Sequence, residues 1–288
     1  MISLHHIYIR AQTLPRMKHL STFLSSALCL VLCLVLASSC SMFGGKNTCA
    51  CRCGDTCKCV SGYECGDTAC IGSRAELSDG IYLINGHRFV DLALPSGLLW
   101  AEANVGATSP ADAGDYFAWG ETSPKDNYTW ETYKFGTVEV NEYGVPVRNH
   151  FTKYKKAEGT VLDKDDDAAY ANWGKHCRMP LADDFNELLN GVYVEAAWTT
   201  QTNSQGKTIH GLLIKSKNNG NSIFLPAVGL KDSTALTAPD VRGAYWTSSL
   251  DASENADVAR YLSFYSGSCH VYNFSRCVGY SVRAVARP

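Results

Sequence analysis

The chain has 288 residues and a nearly balanced charge, with 26 Lys and Arg residues against 28 Asp and Glu residues. This balance argues against nucleic acid as a partner, because nucleic-acid-binding domains usually carry a clustered basic face. The length is enough for one domain of ordinary size and a tether.

The first feature in chain order is an apolar stretch from Phe23 to Leu36. Read from an internal start at Met17, it follows a basic residue, Lys18, and is followed by the small residues Ala37-Ser38-Ser39 and then by Cys40. This order is typical of a secretory signal. The stretch is also shorter than the roughly 20 apolar residues that a membrane-spanning helix needs.

The position of Cys40 after these small residues resembles the lipobox of bacterial lipoproteins. In that family the peptide bond before the cysteine is cut and the thiol carries diacylglycerol. The resemblance implies that residues 1–39 are a start extension and signal peptide, and that Cys40 is lipidated. It also implies export through the Sec route to the outer membrane or cell surface. The alternative is an uncleaved transmembrane anchor.

Residues 40–79 form a Gly-, Cys- and polar-rich segment that we interpret as a tether. In an exported protein, cysteines are read first as disulfides. The alternative is a thiolate metal cluster, since Cys-x-Cys repeats resemble those of metallothioneins. We favour the disulfide tether and predict no metal or other cofactor. Seven cysteines crowd this segment: Cys49, Cys51, Cys53, Cys57, Cys59, Cys65 and Cys70.

Residues 80–288 are predicted to form one globular domain. It opens with two strand-like runs, Ile81–Ile84 and His87–Leu92, and the Asn85-Gly86 pair between them predicts a type I′ hairpin turn. Residues 114–159 are rich in aromatic residues, Gly and charge and have weak periodicity. They are predicted to be long loops with short strands.

Two helices are predicted in the middle of this domain. The acidic run Asp165-Asp166-Asp167 precedes Ala168–Trp173, and carboxylates stabilise a helix N-terminus because they accept hydrogen bonds from its free amides. The second helix is predicted from about Ala182 to Asn190, with Phe185, Leu188 and Leu189 on its apolar face.

The remaining chain consists of strand-like runs separated by turn residues. Many short strands, with two helices placed together, predict an α+β domain with antiparallel sheets. The predicted strands are Val192–Thr200, Ile209–Lys215, Ser222–Pro226, Ala244–Leu250, Ala259–Tyr265, Cys269–Phe274 and Tyr280–Ala286.

A set of short motifs occurs in a specific order between residues 81 and 288. They are Leu98–Ala101, Gly114–Glu121, Asp166–Ala169, Trp173-Gly174, Arg178–Pro180, Gly220–Ala227, Tyr245–Ser249 and Ser281–Arg283. Together they resemble the Fibrobacter succinogenes major paralogous domain of lipoproteins from gut Bacteroidetes. The resemblance implies a C-type-lectin-like fold, distantly related to formylglycine-generating enzymes, and it implies no activity. Family members usually have a small hydroxyl residue where this chain has Leu181, so Asp183 or Asp184 is expected to cap the second helix.

Three residues are candidates for ligand binding: Trp119, Glu121 and Trp130, all within the long loops. Exposed indole rings could stack on a glycan, although large aromatic side chains more often lie in the core. The acidic run from Asp163 to Asp167 does not fit an EF-hand, because Ala168 stands where the loop needs Gly. Helix capping accounts for this run better than calcium binding.

Two arginines, Arg178 and Arg283, lie within apolar patterns. We interpret them as buried structural cations paired with a carboxylate such as Glu187. The alternative is that they bind a substrate.

No catalytic residue is predicted, since the chain has no nucleophile elbow, zinc-protease helix or phosphate-binding loop. Cys269 and Cys277 are predicted to form a disulfide between neighbouring strands. Formylglycine-generating enzymes bind copper(I) with two nearby cysteines late in their fold, so the family resemblance leaves a copper-thiolate oxidase as an alternative.

The sequence therefore predicts a lipid-anchored cell-envelope protein that is not an enzyme. Its predicted role is ligand binding or adhesion, with the membrane as a partner through the anchor and a glycan or a protein as the ligand. The alternatives are the copper-thiolate oxidase and a structural envelope or fimbria-associated protein.

Overall fold

The computed structural model describes residues 74–155, 160–251 and 256–287. The predicted signal, Cys40 and the seven cysteines from Cys49 to Cys70 lie outside the described residues, so those interpretations stay predictions. Among the described residues, none of the helices has the length and apolar character needed to cross a membrane.

Of the described residues, 45% are in strands and 9% are in helices, so the predicted α+β class and its C-type-lectin-like form are wrong. The two helices lie where the sequence placed them, α1 at Ala168–Trp173 and α2 at Ala182–Leu188. At six and seven residues, however, they are too short to form a layer that covers a sheet. The sheets themselves supply most of the core.

Sixteen strands are described. In chain order they are β1 (Arg74–Ser78), β2 (Ile81–Ile84), β3 (His87–Asp91), β4 (Leu99–Ala101), β5 (Gly136–Val140), β6 (Pro146–Phe151), β7 (Cys177–Arg178), β8 (Val194–Thr202), β9 (Thr208–Ser216), β10 (Ser222–Pro226), β11 (Leu230–Asp232), β12 (Ala235–Thr237), β13 (Gly243–Leu250), β14 (Val258–Tyr265), β15 (Ser268–Ser275) and β16 (Val285–Ala286). Two 3-10 helices span Trp130–Thr132 and Lys164–Asp166.

The largest sheet has six strands in the order β1-β2-β3-β4-β16-β7, with every neighbouring pair antiparallel. The predicted hairpin is confirmed, and its turn residues Asn85 and Gly86 have φ values of 50° and 84°. β1 precedes the predicted domain boundary at residue 80, since Arg74 already pairs with Ile84. The C-terminal strand β16 pairs with both β4 and β7 and so joins distant parts of the chain.

Two three-stranded sheets, β8-β9-β10 and β13-β14-β15, account for six of the seven predicted strands after α2. The seventh prediction, Tyr280–Ala286, is only partly correct. Its regular strand is limited to Val285–Ala286, while Tyr280 and Ser281 form isolated bridges to Phe117 and Tyr245.

The core consists of two clusters of buried residues. One surrounds the indoles of Trp119 and Trp246, and the other surrounds Trp100, Phe185 and Phe264. The predicted burial of Phe185 on α2 is therefore confirmed. Because these aromatic side chains come from segments far apart in sequence, each cluster ties several sheets together.

The N-termini of the two described helices differ in how they are capped. Asp167 is the N-cap of α1 and accepts a hydrogen bond from the Tyr170 amide, which confirms the capping role of the acidic run. At α2 neither Asp183 nor Asp184 replaces the hydroxyl cap, because no side chain of the N-cap residue Leu181 accepts from the helix amides and Asp184 accepts instead from the Leu181 amide at 2.7 Å. The Ala182 amide donates to the Ser249 hydroxyl at 3.1 Å.

Candidate functional site

The three predicted ligand-binding residues do not form one exposed surface. Trp119 is 0% exposed, and its indole donates to the Thr247 carbonyl oxygen at 2.9 Å. A buried indole offers no face on which a sugar could stack. Trp119 is therefore a core residue and does not form an exposed pair with Trp130.

Glu121 and Trp130 are also engaged in internal contacts. Glu121 is 8% exposed and accepts hydrogen bonds from the Lys125 ammonium and the Lys134 amide, both at 2.8 Å. Trp130 is half-buried, with edge contacts to Tyr133 and Phe151. These contacts hold the loop between Glu121 and Phe151 together.

Cys269 and Cys277 are free in the structure, so the predicted disulfide is not formed. Cys269 and Ser275 lie on the same extended strand, β15, which places their Cα atoms about 20 Å apart. Two further residues span at most about 7 Å, so Cys277 cannot reach Cys269. The same separation removes the paired thiols that the copper-thiolate oxidase alternative requires.

The two predicted structural arginines are both held in place, but neither binds Glu187. Arg178 forms an ion pair with Asp184 at 2.7 Å, but its side chain is 34% exposed, so its predicted burial is wrong. Arg283 is fully buried, as predicted, and donates to backbone carbonyls and to Asn104 instead of a carboxylate. Glu187 accepts hydrogen bonds from the amide and hydroxyl of Ser96.

A third buried arginine, Arg276, was missed in the sequence. It is 0% exposed and lies 4.1 Å from the ring centroid of Phe151 and 5.2 Å from that of Trp119. Its guanidinium also donates to the Tyr154 carbonyl oxygen at 3.0 Å. The sequence feature that could have indicated its burial is its position directly before the apolar pair Cys277-Val278.

One concave feature of the described chain is a groove with a volume of about 1060 Å³. Both edge strands of the six-stranded sheet contribute to its lining: Arg74 from β1, and Cys177 and Arg178 from β7. The sheet must therefore curve around the groove, in agreement with the half-barrel shape of part of the structure.

The segment that carries α1 forms one wall of this groove and is fastened to the β2–β3 turn. The Asn85 amide group donates to the carbonyl oxygens of Trp173 and Lys175, both at 2.7 Å. The His87 and Trp173 rings are stacked with their centroids 3.9 Å apart. His176 follows with φ of 84°, a left-handed conformation that turns the chain into β7.

Two buried ionisable groups line the floor of the groove. Asp167 accepts hydrogen bonds from the amides of Tyr170 and Met179, and burial raises the pKa of its carboxyl group. Burial also raises the pKa of the Cys177 thiol to about 12. A thiol with this pKa stays protonated at neutral pH and is a poor nucleophile. Asp167 and Cys177 are therefore interpreted as structural groups of the groove.

Replacing Asp167 with alanine is expected to lower the unfolding free energy by about 2–3 kcal/mol. The change removes the N-cap of α1 and leaves the buried Met179 amide without its acceptor. The matched control is Asp165→Ala, because Asp165 is exposed and belongs to the same acidic run. Urea denaturation of both variants measures the difference. Equal stability of the two would contradict the assigned role of Asp167.

The rim of the groove is basic. Five of its 14 lining residues are Lys or Arg, namely Arg74, Lys164, Lys175, Arg178 and Arg287, and His176 is a sixth nitrogen base. Among the described residues, the only acidic one in the lining is Asp167, which is 5% exposed. We call this feature the basic groove. Sequence reasoning missed it because its cations come from separate segments and have no common spacing.

Known proteins add nothing to this description. No family model matches the chain, and neither the curated proteins nor the solved structures include a significant match. The resemblance to the Fibrobacter succinogenes major paralogous domain therefore stays a prediction that rests on the short motifs alone.

Proposed function

We propose that the protein is a lipid-anchored cell-envelope protein that binds a ligand outside the cell through the basic groove. The groove carries this proposal, since an open concavity of about 1060 Å³ is large enough for a ligand. Its walls are supported on one side by the curved sheet and on the other by α1. Such a rigid frame is suited to binding because little conformational entropy is lost when the ligand docks.

The proposed location is supported by the sequence before the described residues. The apolar stretch from Phe23 to Leu36, the small residues after it and Cys40 together fit an exported lipoprotein. The tether between Cys40 and Arg74 has 33 intervening residues, which could span up to roughly 100 Å when extended. This reach would let the domain contact ligands away from its own membrane.

The location is tested by replacing Cys40 with serine. We expect the native chain to take up radiolabelled palmitate in a bacterial host and to sediment with membranes. The Cys40→Ser variant is expected to take up no label, since serine has no thiol to acylate. A variant that stays unlabelled but is still embedded in membranes would instead support an uncleaved transmembrane anchor.

The binding role is tested by filling the groove. Val161 lines the groove and is 44% exposed, so Val161→Trp adds bulk there without entering the core. The matched control is Val192→Trp, because Val192 is 72% exposed and does not line the groove. Cells that display each variant are applied to immobilised mucin, and the purified full-length lipoproteins are applied to a glycan array.

We expect Val161→Trp to reduce retention at least tenfold and Val192→Trp to leave it unchanged. Unchanged retention for both variants would show that the groove is not the binding site. In that case a structural envelope or fimbria-associated role would replace binding as the leading proposal.

A further inference from the structure

We infer that the basic groove binds a polyanionic glycan, a polysaccharide that carries carboxylate or sulfate groups along its chain. This inference rests on the proposed function and specifies the ligand class of the same site. Its first support is the contrast between the groove and the whole chain. The chain has two more acidic than basic residues, yet the groove is lined by five Lys and Arg side chains and one buried carboxylate.

Most of these cations form no ion pair with another described residue. Among the described residues, Lys164, Lys175 and Arg287 have no ion pair, and all three are exposed. Arg74 lies 5.2 Å from the ring centroid of Tyr82. Only Arg178 is paired with a carboxylate, that of Asp184. The positive charge of the groove is therefore available to a ligand.

The exposure of these cations favours a polymer over a single small anion. An ion pair in contact with water contributes little by itself, because water and salt screen the attraction. A small anion would need several desolvated donors that converge on one point. A polymer engages several exposed cations at once, and the linked contacts add to a useful affinity.

A glycan fits the lining better than an acidic peptide does. Extended peptides usually bind by adding a strand to a free sheet edge. At β7, the backbone amides of Cys177 and Met179 already donate hydrogen bonds, to the Gly174 carbonyl oxygen and to the Asp167 carboxylate. β1 contributes only its first residue, Arg74, to the groove. Neither edge therefore offers the groove a run of free backbone groups.

The groove also has surfaces that suit a sugar ring. The Tyr170 side chain is half-exposed in the wall of the groove. Aromatic rings pack against apolar groups, and the apolar face of a pyranose sugar is such a group. Val161 lies nearby in the same lining. Carboxylates or sulfates on the ring edges would then be directed toward the cations of the rim, with arginine able to bind them in a bidentate manner.

The tether is a poor competitor for the groove on charge grounds. Residues 41–73 contain three basic and three acidic residues, so the segment has no net charge to match the basic rim. Any competition from the tether would appear in the experiment below, because the full mature chain is used.

The experiment compares binding of the full-length lipoprotein to four immobilised polymers. Polygalacturonate and chondroitin sulfate are the carboxylated and sulfated glycans, dextran is the neutral glycan, and poly-glutamate is the acidic peptide. The test variant combines Lys164→Glu, Lys175→Glu and Arg287→Glu. The control combines Lys207→Glu, Lys215→Glu and Lys217→Glu on exposed positions in or next to β9, so both variants have the same net charge.

We expect binding to at least one anionic glycan, no binding to dextran and weaker binding to poly-glutamate. The groove variant is expected to lose at least tenfold in affinity, whereas the β9 variant keeps its affinity within threefold. Raising the salt concentration from 0.1 M to about 1 M shortens the screening length from about 10 Å to about 3 Å and is expected to abolish binding.

Three results would overturn the inference. The first is that the protein binds dextran, that Val161→Trp blocks this binding and that the groove charge variant does not. This result would keep the proposed function and reject an anionic ligand. The second is that the protein binds poly-glutamate as tightly as it binds the glycans, which would indicate an acidic protein as the ligand of the groove. The third is that the protein binds none of the four polymers, which would reject the polyanionic class of ligand. In that case, mucin retention that is lost in Val161→Trp would show that the proposed function still holds.

Discussion

Replacing Arg283 with methionine is expected to lower the unfolding free energy by about 4 kcal/mol. The guanidinium is fully buried and donates four hydrogen bonds, at 2.9 Å to the Asn104 side chain, 3.0 Å to the Ala101 carbonyl oxygen, 2.6 Å to that of Glu102 and 2.9 Å to that of Phe224. These bonds join β4 and the chain after it to β10. Methionine fills similar space but leaves the acceptors without a donor.

The matched control for this variant is Arg88→Met. The Arg88 side chain is 51% exposed and forms an ion pair with the Glu102 carboxylate at 2.6 Å, so its removal is expected to change stability by less than about 1 kcal/mol. Urea denaturation followed by circular dichroism measures both values. A more stable Arg283→Met variant would mean that desolvation of the guanidinium outweighs its hydrogen bonds.

Alkaline pH is expected to unfold the protein between about pH 10 and 11. Burial raises the pKa of the Cys177 and Cys269 thiols from 9.0 to about 12 and that of the Tyr245 phenol from 10.0 to about 12. Burial also raises the pKa of the phenols of Tyr116 and Tyr280. The unfolded chain releases these protons at the ordinary values, whereas the folded protein holds them until the pH is much higher.

The stability from these groups is therefore complete below pH 9 and is lost as the pH rises. Each group contributes up to about 1.4 kcal/mol per pH unit between its two pKa values. By pH 11 these groups together lower the unfolding free energy by on the order of 10 kcal/mol, which is comparable to the whole stability of a typical domain.

The measurement is urea denaturation at several pH values, combined with tyrosinate absorbance. We expect the absorbance of the buried phenols to rise together with the loss of circular dichroism. Between pH 9 and 10 the thiols contribute most of the slope, so Cys177→Ala should reduce the slope of unfolding free energy against pH by up to about 1.4 kcal/mol per unit. An unchanged slope would contradict the burial of this thiol.

Local structure was largely predictable because it depends on neighbouring residues. The Asn85-Gly86 pair specifies a tight hairpin, since both residues tolerate positive φ. Asp167 caps α1 because its side chain reaches the amide three residues later. Apolar runs bounded by turn residues also located the β8-β9-β10 and β13-β14-β15 sheets.

The fold class and the site depended on contacts between distant segments. The predicted α+β class was wrong because the two helices, although correctly located, have only six and seven residues and form no layer against a sheet. Trp119 lies in a loop by sequence, yet Arg276 and Thr247 enclose it from segments more than 120 residues away. No local pattern contains that information.

The sequence by itself determined the hairpin turn, the cap of α1 and most strands, while the lipid-anchored location stays a prediction from the Cys40 region. Only the tertiary structure separated Cys269 from Cys277 and brought Arg74, Lys164, Lys175 and Arg287 around one groove. Short-range hydrogen bonds and the periodic burial of side chains depend on residues that are close in sequence. The curvature of the six-stranded sheet, which brings both of its edges to the same groove, arises only when β16 pairs with β4 and β7 across the length of the chain.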